Sequence, residues 1–171
     1  MPNAIHIEPL SKDSFNVYGD VIGGSIDSDG VAINQGTTLK FDSETLSLGA
    51  NNSQAKAYLY RARGQHLPLM LEMLECHRLG SQTFVPINGV AFVAVVAVSS
   101  PSSGLPDLST LRAFWVDGSC AVTLRAGTWH HGLIAASDGD FVVIERLADE
   151  IDCDLFKLTP SIELKRAPLS E

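Results

Sequence analysis

The chain has 171 residues, of which 45% are hydrophobic and 19% are charged, and its formal net charge is −8 at neutral pH. This length and apolar content suit a single domain over residues 1–171 with one buried core. The acidic balance argues against a nucleic-acid or anionic-membrane partner, because both need clustered lysine and arginine.

The cysteines and the N-terminus bear on location. Three cysteines without paired spacing indicate reduced thiols in a reducing compartment rather than a disulfide framework. The first residues lack the basic and apolar regions of a signal peptide, and the most apolar run, 90–98, is too short for a membrane helix. We therefore expect a cytoplasmic protein with no membrane association.

Strand-like segments dominate the chain, and helical pattern is scarce. A short capped helix is predicted over 11–15. Runs rich in β-branched and aromatic residues, separated by turn signals, predict strands over 55–62, 69–77, 82–86, 90–98, 111–116, 121–124 and 141–146. Many short strands of this kind predict an all-β sandwich or barrel, in which closure of the sheet removes its free edges.

The strand predicted over 69–77 ends in polar groups. Alternate residues of a strand share a face, so Leu69, Leu71 and Met73 are expected to line one side. Glu75 and His77 then continue that same face. A carboxylate and an imidazole at the end of an apolar face would be costly to bury without a purpose. The pattern therefore indicates a site.

A second polar segment follows further along the chain. The run 127–131, Gly-Thr-Trp-His-His, combines a glycine turn, an aromatic residue and two histidines. Together with Gln82 from the intervening strand, the sequence predicts that four polar side chains converge inside one β scaffold: Glu75, His77, Gln82 and His130.

The spacing of these residues resembles the sequence motifs of cupins. Glu75-x-His77 followed by Gln82 resembles the first cupin motif, and 126–130 resembles the second. Two of the four positions that bind metal in cupins keep a histidine here, His77 and His130. Glu75 stands in place of a histidine and Gln82 in place of a glutamate. Because cupins host many chemistries, the motif alone indicates a fold rather than a function.

A longer set of segments resembles the ureidoglycolate lyase family, long named ureidoglycolate hydrolase. The similar segments are 15–22, 33–36, 66–68, 74–77, 79–86, 106–114 and 128–131. The block 79–86, Leu-Gly-Ser-Gln-Thr-Phe-Val-Pro, is distinctive. Arg78 and Gly132 depart from the family, which tends to have proline there, and we recognise no resemblance in the residues from Thr159 onward.

The resemblance implies a cupin-like double-sheet β-barrel of the jelly-roll type with few short helices, and a homodimer. It also implies an enzyme, a carbon–nitrogen lyase that splits (S)-ureidoglycolate into glyoxylate and urea in allantoin and purine nitrogen catabolism. No organic cofactor is expected. Two alternatives remain: an amidohydrolase that releases ammonia from ureidoglycolate, and a non-catalytic cupin that binds a small acid.

The lyase reaction needs a base for the hydroxyl proton, stabilisation of the developing alkoxide and a proton donor for the leaving nitrogen. His77, His130 and Glu75 form a set of two histidines and one carboxylate that suits one divalent ion such as nickel or zinc. The alternative is that these groups only hydrogen-bond the substrate. Glu145 shares a predicted strand face with Val143 and is a candidate general base, or else forms a rim salt bridge.

Four further residues are candidates for substrate binding. Arg61 and Arg146 are candidates for the partner of the substrate carboxylate, because guanidinium matches a carboxylate bidentately, and Arg61 is the favoured one. The alternative for Arg146 is a surface ion pair with an acid such as Asp140. Asn34 offers the amide that a ureido group would bind, or else serves as a turn residue. Trp129 is expected in the pocket wall or in the core.

Overall fold

Strands make up most of the secondary structure, as the sequence pattern predicts. The computed structural model describes residues 3–23, 30–42, 46–48, 53–147 and 149–166. The strands of these residues are β1 (Ala4–Pro9), β2 (Gly19–Gly23), β3 (Val31–Ile33), β4 (Thr38–Lys40), β5 (Gln54–Ala62), β6 (Leu69–Cys76), β7 (Gln82–Pro86), β8 (Phe92–Ala97), β9 (Arg112–Val116), β10 (Cys120–Leu124), β11 (Trp129–His130), β12 (Ile134–Ala135), β13 (Gly139–Leu147) and β14 (Asp154–Lys165). The described helices are α1 (Lys12–Phe15) and two single 3-10 turns, Asn34–Gly36 and Leu108–Thr110.

Six of these strands close into a barrel. β11, β6, β14, β1, β9 and β8 pair in this order, and β11 also pairs with β8, which completes the ring. Apolar side chains such as Leu74, Val95, Ala113 and Leu164 fill its interior. Closure satisfies the backbone groups that free edges would leave unpaired. The expectation of an all-β, cupin-like barrel is therefore confirmed.

A second sheet packs on the outside of this barrel. Its five strands run in the order β2-β10-β7-β13-β5. A second apolar cluster lies between the two layers and contains Phe92 of the barrel and Phe141 and Val143 of the second sheet. The rings of Phe92 and Phe141 meet edge to face with their centroids 5.5 Å apart, a favoured aromatic arrangement. The space between the layers is thus the second interior of the molecule.

All seven predicted strands are present, with ends displaced by at most two residues. The predicted helix is present as α1, where the backbone N–H of Ser14 donates to the Ser11 hydroxyl at 3.2 Å, an N-cap bond. Among the described residues, no helix is long and apolar enough to cross a membrane.

The predicted face of the strand over 69–77 is wrong. Leu71 and Leu74 are both fully buried in the barrel, whereas Met73 is 44% exposed. The pairing of β6 with β14 contains an irregularity between Lys157 and Ile162, which shifts the alternation by one residue. Glu75 therefore does not continue the face of Leu71.

Candidate functional site

The strand register turns two polar side chains, Glu75 and His130, away from the barrel interior. Cys76 of β6 faces Trp129 of β11, and both are buried in the barrel core. Their neighbours, Glu75 and His130, are also directly opposite one another. Because successive residues of a strand point to opposite faces, this second pair points out of the barrel and toward the second sheet.

The second sheet contributes two more polar groups to the same space. Gln82 shares a face of β7 with Phe84, and Glu145 shares a face of β13 with Val143, both apolar residues belonging to the interlayer core. The Gln82 amide donates to Oε2 of Glu145 at 2.6 Å, and its nitrogen lies 3.3 Å from Nε2 of His77. The structure thus brings together the four residues that the sequence predicts to converge, with Glu145 beside them.

Backbone carbonyls fix the orientation of both imidazoles. Nδ1 of His77 is hydrogen-bonded to the carbonyl oxygen of Asp152, and Nδ1 of His130 lies 3.1 Å from the carbonyl oxygen of Thr128. A carbonyl oxygen only accepts, so each Nδ1 carries the proton and donates. Each Nε2 is then left as an acceptor that faces the site.

One of these acceptors meets a carboxylate. Nε2 of His130 lies 3.3 Å from Oε1 of Glu75, yet it has no aligned hydrogen-bond partner among the described residues, and neither does the buried Oε1 of Gln82. Two acceptors at this separation repel each other unless a proton or a cation lies between them. The arrangement is therefore suited to a positively charged species.

The electrostatics of Glu75 agree with this. With a proton on Nε2, a hydrogen bond from His130 lowers the pKa of the Glu75 carboxyl from its ordinary value; burial opposes this, and the charges of His130, His77 and His131 act in the same direction as the hydrogen bond. A carboxylate that keeps its charge at neutral pH is a competent ligand for a hard or borderline cation.

Glu75, His77 and His130 form a group that fits a metal ion. One ligand atom from each lies within 4.8 Å of the others. Backbone bonds from Nδ1, with Nε2 left for the ion, are the usual support of metal-binding histidines. Bond lengths of about 2.0–2.2 Å would draw the three atoms closer together than they stand here.

A cleft of about 210 Å³ opens beside this group, and Tyr58, His77, Glu145 and Arg146 lie in its wall. Asp152 fixes one side of the cleft. Its carboxylate accepts hydrogen bonds from the backbone N–H groups of Arg78 and Leu79, the two residues directly after His77. The cleft gives a small polar molecule access to His77 and Glu145.

Of the two arginines considered for the substrate carboxylate, the favoured one is placed away from the site. The Arg61 side chain is 78% exposed and binds both oxygens of Asp140, at 2.9 and 3.1 Å. Its neighbour in β5, Tyr60, is paired with Phe141 of the interlayer core, so Arg61 points to the outer face. The prediction for Arg61 is therefore wrong, because the alternation of β5 directs it outward.

Arg146 is the arginine that reaches the cleft. Its side chain is only 6% exposed and pairs with Glu150, a nearby acid, as the ion-pair alternative expected, although the guanidinium is buried rather than on the surface. Gly80 packs closely on Arg146, so that a Cβ added at Gly80 would lie 2.6 Å from the Cβ of Arg146. A larger residue at position 80 would displace Arg146 or the loop.

Two other candidates take structural roles. Asn34 lies in the exposed turn between β3 and β4 at φ 51°, and its amide donates to the Thr38 hydroxyl at 3.3 Å. This is the turn alternative rather than the substrate-binding one. Trp129 is 1% exposed, packs edge to face with Phe156 in the barrel core, and its indole N–H donates to the carbonyl of Gly104. It is a core residue and does not form the pocket wall.

Sequence reasoning missed the tyrosines of β5. Tyr58 lies in the cleft wall. The pKa of Tyr60 is raised above its ordinary value, mainly by burial and to a lesser extent by the negative charges of the nearby Glu145 and Glu75. The alternation Lys56-x-Tyr58-x-Tyr60 was the available signal, because it places three polar-tipped side chains on one strand face.

Comparison with known proteins gives consistent matches. Residues 2–165 match the model of a family described as ureidoglycolate lyase. The chain is 37% identical over 150 residues to a ureidoglycolate lyase of Pseudomonas fluorescens (strain Pf0-1), covering 86% of this chain and 87% of that protein. It is 35% identical over 164 residues to a ureidoglycolate lyase of Stutzerimonas stutzeri (strain A1501), covering 95% and 94%.

Proposed function

Because this chain belongs to the ureidoglycolate lyase family, we propose that it cleaves ureidoglycolate to glyoxylate and urea at the site between its two layers. The observation that carries the proposal is the convergence of Glu75, His77, Gln82, His130 and Glu145 beside a cleft whose wall contains His77 and Glu145. Buried polar groups are costly unless paired, and a set with unpaired acceptors is suited to a polar ligand.

The reaction is the collapse of a carbinolamide. A base removes the hydroxyl proton, the carbonyl of glyoxylate forms, and the carbon–nitrogen bond breaks as the leaving nitrogen is protonated. Glu145 is our candidate for the base, because it is a carboxylate in the cleft wall whose position is fixed by Gln82. A positioned carboxylate within reach of the hydroxyl would contribute through general base catalysis. Because Gln82 also contacts His77, its amide would hold Glu145 and His77 at a fixed distance from each other.

We further propose that Glu75, His77 and His130 hold one divalent ion, nickel or zinc. The support is the donor set and the unpaired Nε2 of His130. When bound, such an ion would supply Lewis acidity toward the substrate hydroxyl oxygen. The protein's part is to present one carboxylate and two neutral imidazoles, each oriented by a backbone carbonyl.

The wider setting of the enzyme is also part of the proposal. Breakdown of allantoin for nitrogen would supply ureidoglycolate, and the acidic, unpaired-cysteine chain suits the cytoplasm. We propose a homodimer, supported by the exposed edge of β5, which among the described residues pairs only with β13.

The two alternative functions have less support. Hydrolysis of the ureido carbonyl with release of ammonia usually requires a strongly activated water, often between two metal ions, and the described residues provide one group of ligands. A cupin that only binds a small acid would not need Glu145 positioned by Gln82.

Product analysis on racemic ureidoglycolate separates the three possibilities. Urea with an equal amount of glyoxylate is the outcome that we expect. Ammonia as the nitrogen product would establish the hydrolase instead, and binding without turnover would establish the non-catalytic cupin.

A further inference from the structure

The proposed site has no obvious partner for the negative charge of its substrate. The cleft wall carries the acids Glu145, Glu150 and Asp152, and its guanidinium, Arg146, is already paired with Glu150. Glu75 adds a further carboxylate beside the histidines. These like charges would repel an anionic substrate, and the proposed divalent ion is assigned to the substrate hydroxyl oxygen, so a further cation near the cleft would favour binding of the carboxylate.

The strand register places one such cation on the correct face. Lys56 of β5 is directly opposite Glu145 of β13, and directly paired residues of an antiparallel ladder lie on the same face with their Cβ atoms about 5 Å apart. Tyr58 and Tyr60 share this face two and four residues further on. Arg61, the other cation of β5, has the opposite parity.

The ammonium of Lys56 is held toward the cleft and is available. Its Nζ lies 5.3 Å from the ring centroid of Tyr58, a cation–π contact, and Tyr58 is part of the cleft wall. Among the residues that the structure describes, Lys56 forms no ion pair, in contrast to Arg61, Arg78 and Arg146. The side chain is exposed, so it can reorient toward a ligand without breaking a salt bridge.

We propose that Lys56, positioned by Tyr58, binds the carboxylate of the substrate and so selects for acids. This role depends on the proposed lyase function and extends it to the residue that determines substrate class. The carboxylate would lie at the outer end of the cleft beside Lys56, and the carbinol would point inward to Glu145 and the histidines. A neutral ureido compound would lose this contact but would still fit the inner groups.

The test compares two substrates that differ in the carboxylate. Ureidoglycolate carries it, whereas N-(hydroxymethyl)urea has the same carbinolamide without it and collapses to formaldehyde and urea. Steady-state kinetics of urea release would be measured with both compounds for the wild-type protein, Lys56→Met, Lys56→Arg and Arg61→Met. The last variant is the matched control, because it removes a cation from the outer face of the same strand.

For Lys56→Met, we expect KM for ureidoglycolate to rise by about tenfold or more, the usual effect of losing a hydrogen bond to a charged group, with kcat changed by much less. Its kcat/KM for N-(hydroxymethyl)urea should stay near the wild-type value. Lys56→Arg should restore most of the affinity, and Arg61→Met should behave as wild type with both compounds.

An unchanged KM for ureidoglycolate in Lys56→Met would overturn the role of Lys56, and so would an equal loss with both substrates, which would indicate a structural effect. Absence of turnover of ureidoglycolate by the wild-type protein would instead overturn the proposed function, and with it this role. The two failures are distinguishable because the first is seen only in the variant.

Discussion

The hydrogen bonds on Nδ1 of His77 and His130 determine what the site offers to a ligand. With both Nδ1 atoms hydrogen-bonded to backbone carbonyls, the Nε2 atoms of the two imidazoles converge with the Glu75 carboxylate, and Nε2 of His130 has no aligned partner among the described residues. Substitution of Glu75 can therefore distinguish a metal-dependent mechanism from a metal-free one.

Glu75→Gln is the variant that makes the distinction. If Glu75 is a ligand, loss of its charge should lower the bound metal, measured by elemental analysis of the purified protein, together with urea release. If instead Glu75 acts without a metal, activity falls while the metal content does not change. Glu72→Gln, an exposed position earlier on β6, is the control and should change neither quantity.

The cysteines provide an independent check on the packing at residue scale. Burial raises the pKa of the Cys76 thiol to about 11, and the residue is fully enclosed in the barrel core. At pH 8, about one Cys76 thiol in a thousand would be ionised, and only the thiolate reacts with iodoacetamide. Alkylation of the native protein should therefore modify the exposed Cys153 long before Cys76. Equal rates, measured by peptide mass spectrometry, would show that the core is not closed as described.

At the scale of elements, β14 is a strand of the closed barrel that the sequence analysis did not predict. It lies between β6 and β1 in the ring. Its sequence contains Pro160 near the middle, and a proline inside a strand-like segment argues against a central strand. The irregularity between Lys157 and Ile162 accommodates this proline. The same irregularity reversed the face predicted for Glu75, because period-two reasoning assumes an uninterrupted ladder.

Other elements were more predictable for a physical reason. In β13 the alternation places Glu145 on the face of Val143, as the sequence predicts, and in β7 Gln82 lies on the face of Phe84. In contrast, Arg61 could not be oriented from the sequence alone, because β5 has polar residues on both faces and its burial differs little between them.

The contribution of β14 to stability can be measured by paired truncations. Leu164→Ala removes a fully buried side chain from the barrel core and should lower the free energy of unfolding by about 2–4 kcal/mol. Leu155→Ala, on the same strand but 63% exposed, should change it by about 0.5 kcal/mol or less. Denaturant titrations that give equal effects would mean that β14 does not close the barrel.

At the scale of the whole molecule, the proposed homodimer depends on the edges of the second sheet. The apolar run 90–98 lies largely in β8, which is paired inside the barrel, so it cannot serve as the exposed edge. β5 can, because it is a nine-residue edge strand with Leu59 61% exposed. A long exposed edge of this kind favours pairing with another chain.

Sedimentation equilibrium would test this association. We expect the mass of two chains of 18.3 kDa for the wild-type protein at micromolar concentration. Leu59→Lys should shift the protein toward monomer, because a charged residue on an edge strand opposes pairing, whereas Leu155→Lys on the barrel should not. A monomeric wild-type protein at this concentration would refute the proposed homodimer.

Quantification of urea and glyoxylate released by wild type, His77→Ala and His130→Ala is the most direct test of the interlayer lyase site. The wild-type protein should release the two products in equal amounts, and each variant should lose activity by orders of magnitude, because each removes a group that faces the reacting atoms. Circular dichroism would verify that the variants remain folded. Folded variants that retain near wild-type urea release would contradict the account, because the chemistry would then occur elsewhere in the molecule.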